Sequence, residues 1–413
     1  ALRRPGAEIK EGLIPVNMFY LSQGLTENLN AEAFYQLAWD NTVVDNCGTF
    51  FGNDGEPKGC NDRLVVAGLD LPPGVSDNKG APDANTNVFI PRLEDNEASD
   101  GGQYGVALRW FVPELNDTEF GAYALNYHSR SPYLSTVRTT GAGTPPSALN
   151  VPRNARYFID YPEDVRLYGL SFQTNLGGTS LGGEVSYRPN MPLQLNTADL
   201  LNGTLGSPLS PLITTGFSSS VPAGGVINGY KRMPVTQAQV TATQFFDQVM
   251  GASRLTLVGE VGYNHINGLG KADGTDLRFG RSPGFGSGIL PGAAGLASCR
   301  GTGVGTPAAS NPAQECNDDG FYTSSSWGYR ARAKLDYPNV FAGINLSPSL
   351  AWQHDVDGFG PNFEEGNKAV SVGLDADYSN TYTASLSYTD FFGGDFNTNT
   401  DRDFVALSFG VNF

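Results

Sequence analysis

Asp403-Phe404-Val405-Ala406-Leu407-Ser408-Phe409-Gly410-Val411-Asn412-Phe413 is the stretch on which the fold turns. Taken in steps of two, Val405, Leu407, Phe409, Val411 and Phe413 are all apolar. The residues between them, Phe404, Ala406, Ser408, Gly410 and Asn412, are mostly small or polar. Side chains of an extended strand point alternately to opposite faces, so this is a strand with one wholly apolar face. Two settings accept it: a soluble sandwich, where that face meets a second sheet, or a transmembrane barrel, where it meets lipid. The rest of the chain decides between them.

Composition narrows the classes. Charged residues are 16% and hydrophobic ones 39% of 413 residues, low for a soluble enzyme with a large core. No run of about 18 apolar residues occurs, which argues against a transmembrane helix. A barrel hides its membrane signal in alternation, so unremarkable average hydropathy is no objection to one. The net charge of -16 argues against a nucleic-acid partner, which wants a basic patch. With 3 His, a multi-histidine metal site is not expected, and nothing points to a cofactor.

The 4 Cys form two local pairs, Cys47 with Cys60 and Cys299 with Cys316, both in Gly/Asn/Asp/Pro-rich stretches. Neither pair has the tight knuckle spacing of zinc ligands, so two loop-closing disulfides are expected, and with them an oxidising compartment. The sequence has no signal peptide or initiator Met, which reads as a mature or shortened chain.

From the front, residues 1–13 are polar and irregular, and strands are expected at 14–23 and 29–40. After a long polar loop, strands follow at 103–112, 118–129, 164–175, 180–189, 235–246, 253–265, 325–337, 341–354, 368–378 and 381–391, before the last one. That makes about thirteen strands of roughly 10 to 13 residues. Tilted membrane strands need about 9–11 residues, whereas soluble ones usually have about 5 or 6. Connections alternate strictly, short then long, as in barrels with short periplasmic turns and longer extracellular loops. Together these predict an all-β, antiparallel transmembrane barrel of the bacterial outer membrane. The closing stretch then resembles the closing strand and assembly signal of such barrels, carried by Leu407, Phe409, Val411 and Phe413 and read by the barrel-assembly machinery.

Direction follows from the loops. With Phe413 periplasmic, loops 41–102, 130–163, 190–234, 266–324, 355–367 and 392–402 lie outside, and the first strand descends from outside. Aromatics near strand ends, such as Trp110, Tyr187, Trp327, Tyr378 and Tyr388, read as a membrane-interface girdle. Single-chain barrels normally have an even strand count, and an unpaired edge in the bilayer is costly. Further strands ahead of Ala1 are therefore expected, roughly 14 to 18 in the complete protein. Residues 1–13 would be a lead-in and 14–413 the barrel.

Three segments carry a family resemblance. They are A-L-R-R-P-G-A-E-I-K-E-G-L-I-P-V-N-M-F-Y at the front, Cys47-Gly48-Thr49-Phe50-Phe51, and Gly366–Leu374 (G-N-K-A-V-S-V-G-L) with Leu386–Gly393 (L-S-Y-T-D-F-F-G). The front segment resembles a signature of the Gram-negative outer-membrane proteins of domain of unknown function family 1302, and the similarity runs the whole length. The resemblance implies that Ala1 is internal, behind a signal peptide and a sizeable N-terminal part. It also implies partnership with a periplasmic lipid-carrier-like protein and a resistance-nodulation-division-type inner-membrane exporter, and hence traffic of hydrophobic molecules.

Lumen-facing positions are the complement of the apolar ones. They include Arg109, Glu184, Arg188, Glu260, Arg330, Arg332, Lys334, Asp375 and Asp377, with Glu32 and Arg254 besides. Such charges either pair across neighbouring strands or form a constriction that selects solutes. Arg330, Arg332 and Lys334 at period two are the sharpest set. His128, His265 and His354 fall at the outer strand ends. Ser129 follows His128 directly and so points to the opposite face, which is wrong for nucleophilic catalysis. Rim histidines as ordinary hydrogen-bonding groups, and no enzyme, are expected. Residues 95–102 and Asn317-Asp318-Asp319-Gly320 lack full Ca²⁺-loop spacing, and Gly-rich 284–288 is no phosphate loop.

Two functions compete. One is transport or trafficking of hydrophobic or amphipathic molecules across the outer membrane, drawing on Phe19, Phe34 and Phe111 among lumen positions and on the Pro- and Leu-rich loop 190–234. The other is a porin whose charged lumen passes small hydrophilic solutes. The expected surroundings are outer-membrane lipid and lipopolysaccharide.

Overall fold

Period-two alternation with frequent Thr, Val, Tyr and Phe makes extended chain, and antiparallel neighbours complete its hydrogen bonds. A computed structural model describes residues 12–53, 55–60, 62–68, 87–139, 155–207, 210–289 and 316–412. In chain order the first strands are β1 (Met18–Gly24), β2 (Leu29–Gln36), β3 (Arg63–Gly68), β4 (Asn87–Pro91), β5 (Tyr104–Val112) and β6 (Thr118–Tyr127). β7 (Tyr133–Val137), β8 (Arg156–Asp160), β9 (Val165–Leu176) and β10 (Thr179–Gln194) follow. Helices α1 (Thr197–Thr204) and α2 (Pro211–Thr214) precede β11 (Val226–Ile227), β12 (Tyr230–Asp247), β13 (Arg254–Ile266) and β14 (Ser325–Phe341). The chain then forms β15 (Ile344–Asp357), β16 (Lys368–Tyr378), β17 (Tyr382–Phe392) and β18 (Phe404–Val411). Among the described residues no helix is long and apolar enough to cross a membrane.

A 13-stranded antiparallel sheet runs β1-β2-β5-β6-β9-β10-β12-β13-β14-β15-β16-β17-β18, one strand for each expected from the sequence. Boundaries differ where hydrogen bonds leave the ladder. β2 stops at Gln36 because the Trp39 amide donates to Asp100 Oδ1 at 2.9 Å and its indole to the Ser129 carbonyl at 3.2 Å. The turn expected at Pro338-Asn339-Val340 is instead a bulge inside β14. The reversal falls at Ala342-Gly343, whose φ values of 50° and 83° suit a tight hairpin. Gly177-Gly178 turns as read, with φ of 56° and 88°.

The expected closed barrel is, in the structure, an open sheet. Among the described residues β1 and β18 share no ladder. The reason is parity: with strict alternation the first and thirteenth strands run the same way and cannot pair antiparallel. The sheet is nevertheless rolled. Arg402 Nη1 donates to the Phe50 carbonyl at 2.6 Å, its guanidinium lies 5.8 Å from the Phe51 ring, and Phe51 meets Phe404 edge-on at 6.1 Å. The segment following β2 thus reaches the start of β18. That segment is closed by the Cys47–Cys60 disulfide, as expected. Cys316 is buried and disulfide-bonded, while its expected partner Cys299 lies outside the described residues, as do Phe413 and residues 1–11 of the lead-in.

The long connections fold together into a cap at one end of the sheet. β11-β7-β8 form a three-stranded sheet and β3-β4 a two-stranded one. Asn196 caps α1 by accepting from the Asp199 amide at 3.1 Å, and Ser210 caps α2. Leu193, Leu195, Leu200 and Leu212 pack with Ile227, Met233, Ile266 and Phe279 as the cap's core. Arg278 grips Asp199 through two hydrogen bonds of 2.8 and 2.6 Å, both side chains wholly buried, and joins connections about 80 residues apart. Loop 190–234, read as favouring an apolar ligand, therefore spends Leu193, Leu195, Leu200 and Leu212 on this core.

Candidate functional site

Register sorts the sheet into two faces. On one, Val405, Leu407, Phe409 and Val411 sit opposite Tyr388, Leu386, Ala384 and Tyr382. The same face carries Val372, Leu350, Val261, Val240, Leu170 and Leu108, all at least half exposed or nearly so. Phe409 is 78% exposed, and among the described residues no second layer covers the apolar side of the sheet. Phe19 pairs with Tyr35 and Leu21 with Ala33, so Phe19 belongs to this apolar face rather than among lumen positions. Phe34 and Phe111 do fall on the other face, with Glu32 and Arg109.

That second face is polar and carries all nine charged candidates. Ladder pairing runs Arg109–Gly121, Gly121–Ser171, Ser171–Glu184 and Glu184–Gln239. The next row is Thr241–Glu260, Glu260–Arg330 and Arg330–Gln353. Below it come Val258–Arg332, Arg332–Ala351, Ala351–Ser371 and Ser371–Thr389. Lys334, Asp375 and Asp377 continue the same side, and Arg188 stands opposite Val235.

Most of these groups have partners. Arg109 lies 3.3 Å from both Glu32 and Glu119. Arg188 donates to the Tyr127 hydroxyl at 3.2 Å and Glu260 accepts from Thr241 at 2.8 Å. Asp375 accepts from Ser385 at 2.7 Å, and Asp377 from the Asn380 amide at 3.3 Å. Arg254 sits 3.8 Å from Asp247. Of the three cations at period two, Arg330 is 3.6 Å from Asp355 and Lys334 is 3.3 Å from Asp336. Among the described residues, the side chains of Arg332 and Glu184 have no hydrogen-bond or ion-pair partner.

Two hollows mark this face. One of about 420 Å³ is lined by Glu260, Arg330, Arg332, Ala351, Ser371 and Phe391, among others. A second of about 260 Å³ takes Arg109, Glu119, Glu184 and Gln173, and Thr241 belongs to both. A residue the sequence reading missed, Phe363, comes in from the connection before β16. Its ring lies 5.7 Å from the Arg330 guanidinium and fills hollows at two strand glycines. A Cβ at Gly262 or Gly328 would stand 2.8 or 2.9 Å from that ring. Glycine inside strands was the available signal.

The histidines hold backbone and rim groups. His128 is buried, accepts from the Asp164 amide through Nδ1 at 3.0 Å, and so donates from Nε2 to the Gly101 carbonyl at 2.7 Å. Ser129 hydrogen-bonds locally to Ser131 instead. His265 contacts Asn267 at 2.9 Å and Ser325 at 3.3 Å, the latter shared with the Tyr263 hydroxyl. The carbonyls of Asn317 and Asp319 are taken by Arg281, at 3.1 and 2.8 Å. Burial and the neighbouring Arg278 bring the Arg281 guanidinium down to about 10. Among the described residues no group of three His, Cys, Asp or Glu is arranged for a metal.

Fold and face together define an all-β protein built on one rolled antiparallel sheet, apolar on one side and polar and hollowed on the other. The chain belongs to the family described as Protein of unknown function (DUF1302), whose match spans residues 1–413. No curated protein matches it. Among solved structures it is similar to CdiB from Acinetobacter baumannii, at 10% identity and a TM-score of 0.34, covering 92% of this chain and 46% of that one. It is also similar to a mutant ferric enterobactin receptor, PfeA, from Pseudomonas aeruginosa, at 15% identity and a TM-score of 0.35, covering 90% and 40%. The chain spans less than half the length of either.

Proposed function

We propose that this chain is part of an outer-membrane barrel that carries hydrophobic or amphipathic molecules across the outer membrane without chemical reaction. The observation that carries the reading is the pairing of faces. A continuous, solvent-exposed apolar belt meets no protein layer among the described residues, while the hollowed face behind it mixes charge with Val258, Ala351, Ala369 and Phe391. Exposed apolar area on that scale calls for an apolar medium. In this reading the belt faces lipid and lipopolysaccharide, the cap is extracellular and the C-terminus periplasmic. The last strand is what the assembly machinery reads, and a periplasmic lipid-carrier-like protein and an inner-membrane exporter supply or receive the cargo.

A solute-selective porin is the second reading, favoured by one observation, the unpaired Arg332. Against it, Arg330 and Lys334 are paired, and the Phe363 ring lies against the polar side beside Arg330. Planar-bilayer conductance separates the two. Trafficking predicts little steady current and co-purified lipid-like molecules. Large steady currents, lowered by Arg332→Ala, would establish the porin instead.

A further inference from the structure

Three cations stand at period two on the polar face, and among the described residues only Arg332 of the three has a side chain with no hydrogen-bond or ion-pair partner. Arg330 has Asp355 at 3.6 Å and the Phe363 ring beneath it. Lys334 has Asp336 at 3.3 Å, and Asp336 also accepts from Ser347 at 2.9 Å. Arg332 lies between them with Val258 on one side and Ala351 on the other, neither able to accept a hydrogen bond. Glu260, one row above, stands directly opposite Arg330, and its Oε2 is engaged by Thr241.

Beyond Ala351 in the same row is Ser371, which accepts from the Thr389 hydroxyl at 3.0 Å and so keeps its own proton to donate. Two strand spacings, about 10 Å, separate Arg332 from Ser371. The residue between is Ala351, whose single methyl leaves room above it for a guanidinium. An anion bridging the two meets a planar fork from one side and a hydroxyl from the other. The rest of the hollow, about 420 Å³, includes Val258, Ala369 and Phe391, walls suited to hydrocarbon.

We propose that Arg332 and Ser371 form the head-group site for an anionic amphiphile, a single-chain carboxylate whose tail lies along Val258, Ala369 and Phe391. This rests on the trafficking reading and names its substrate class. The guanidinium fork matches a carboxylate through two parallel N–H···O bonds, and apolar walls give a hydrocarbon tail the burial that a small hydrophilic anion cannot use.

The test uses the full chain refolded in uncharged detergent, with cis-parinaric acid as a fluorescent long-chain carboxylate. Competitors are oleate, oleyl alcohol, a lysophospholipid and inorganic phosphate. Oleate is expected to compete at least about 10-fold better than oleyl alcohol. Arg332→Gln is expected to weaken parinaric acid about 10- to 100-fold, the range of a charge-assisted pair, while oleyl alcohol changes little. Arg330→Gln, whose charge is already engaged, is expected to change affinity less than about 3-fold, and Arg332→Lys to restore part of it. Heat-modifiable migration on gels checks that each variant is folded. Equal competition by oleate and oleyl alcohol, or equal losses at Arg330 and Arg332, overturns the head-group site while leaving hydrophobic trafficking standing. Phosphate or lysophospholipid outcompeting oleate overturns the carboxylate assignment. Binding of phosphate with neither oleate nor oleyl alcohol overturns both readings.

Discussion

Leu407 and Ser408 are adjacent in sequence and opposite in environment. Leu407 lies in a row with Leu386 on the apolar belt, and Ser408 faces Ser385 on the polar side. In a bilayer an Arg on the lipid face costs about 2–4 kcal/mol at mid-depth and less near the interfaces. Leu407→Arg should therefore lower the urea midpoint of the refolded protein well below that of Ser408→Arg, with Val411→Arg in between. Equal midpoints for Leu407→Arg and Ser408→Arg would mean that the faces are assigned wrongly. Phe363 supplies a second residue-scale expectation. Phe363→Ala empties the hollows over Gly262 and Gly328 and should raise bilayer conductance, whereas Phe363→Tyr keeps the ring and should not.

At the scale of elements, the cap is held by groups that no single loop contains. Removing one member of a buried ion pair leaves the other charged and unsolvated, a loss of about 3–5 kcal/mol. Arg278→Ala should release α1 and β7 to hydrogen exchange without altering the ladders of the main sheet. Protection unchanged in α1 would refute the pair as the cap's fastener. Asp160, on β8, shows the cap's pH response. Burial, the largest influence, raises its carboxyl above the usual range, partly offset by hydrogen bonds from Asn96 and Ser135. Because the folded value is the higher one, its contribution favours the cap at pH below the unfolded carboxylate range and fades as pH rises through the folded value. Cap protection, corrected for intrinsic exchange, is thus expected to fall with rising pH across the mildly acidic range. Asp160→Asn should flatten that slope.

For the whole molecule, the question is how far the sheet rolls. The contacts of Phe50 and Phe51 with Arg402 and Phe404 bring the segment after β2 against the last strand of the sheet. A Phe51→Cys/Phe404→Cys double variant should be joined by a short flexible bismaleimide in the refolded protein, because rings 6.1 Å apart bring the two side chains within its span. Thiols that stay unbridged there would leave the sheet flatter than described. The Cys47–Cys60 bridge steadies this reach, and closing a loop of that size contributes about 3 kcal/mol in the chain-entropy model.

Most strand positions, most face assignments (Phe19 excepted) and the Cys47–Cys60 pairing were legible in the sequence because they are local. Alternation has a period of two, and the cysteines close one short loop, so neither needs knowledge of distant chain. The thirteen strands of the main sheet match the number read from the sequence, whereas the closed barrel expected from them is an open sheet among the described residues. The cap was not legible: Leu195, Leu200 and Leu212 follow no helical or strand period, and their core exists only where three connections meet. Phe363 looked like one more loop aromatic until Gly262 and Gly328 were brought beneath it. Spacing alone placed Arg330, Arg332 and Lys334 on one face. Which of them is paired depends on Asp355 and Asp336, side chains whose reach is set by strand register and bulges. Alternation along each strand is written in the chain, but which charges and apolar groups meet is set by the fold, because those contacts join residues whose separation along the chain no local period encodes.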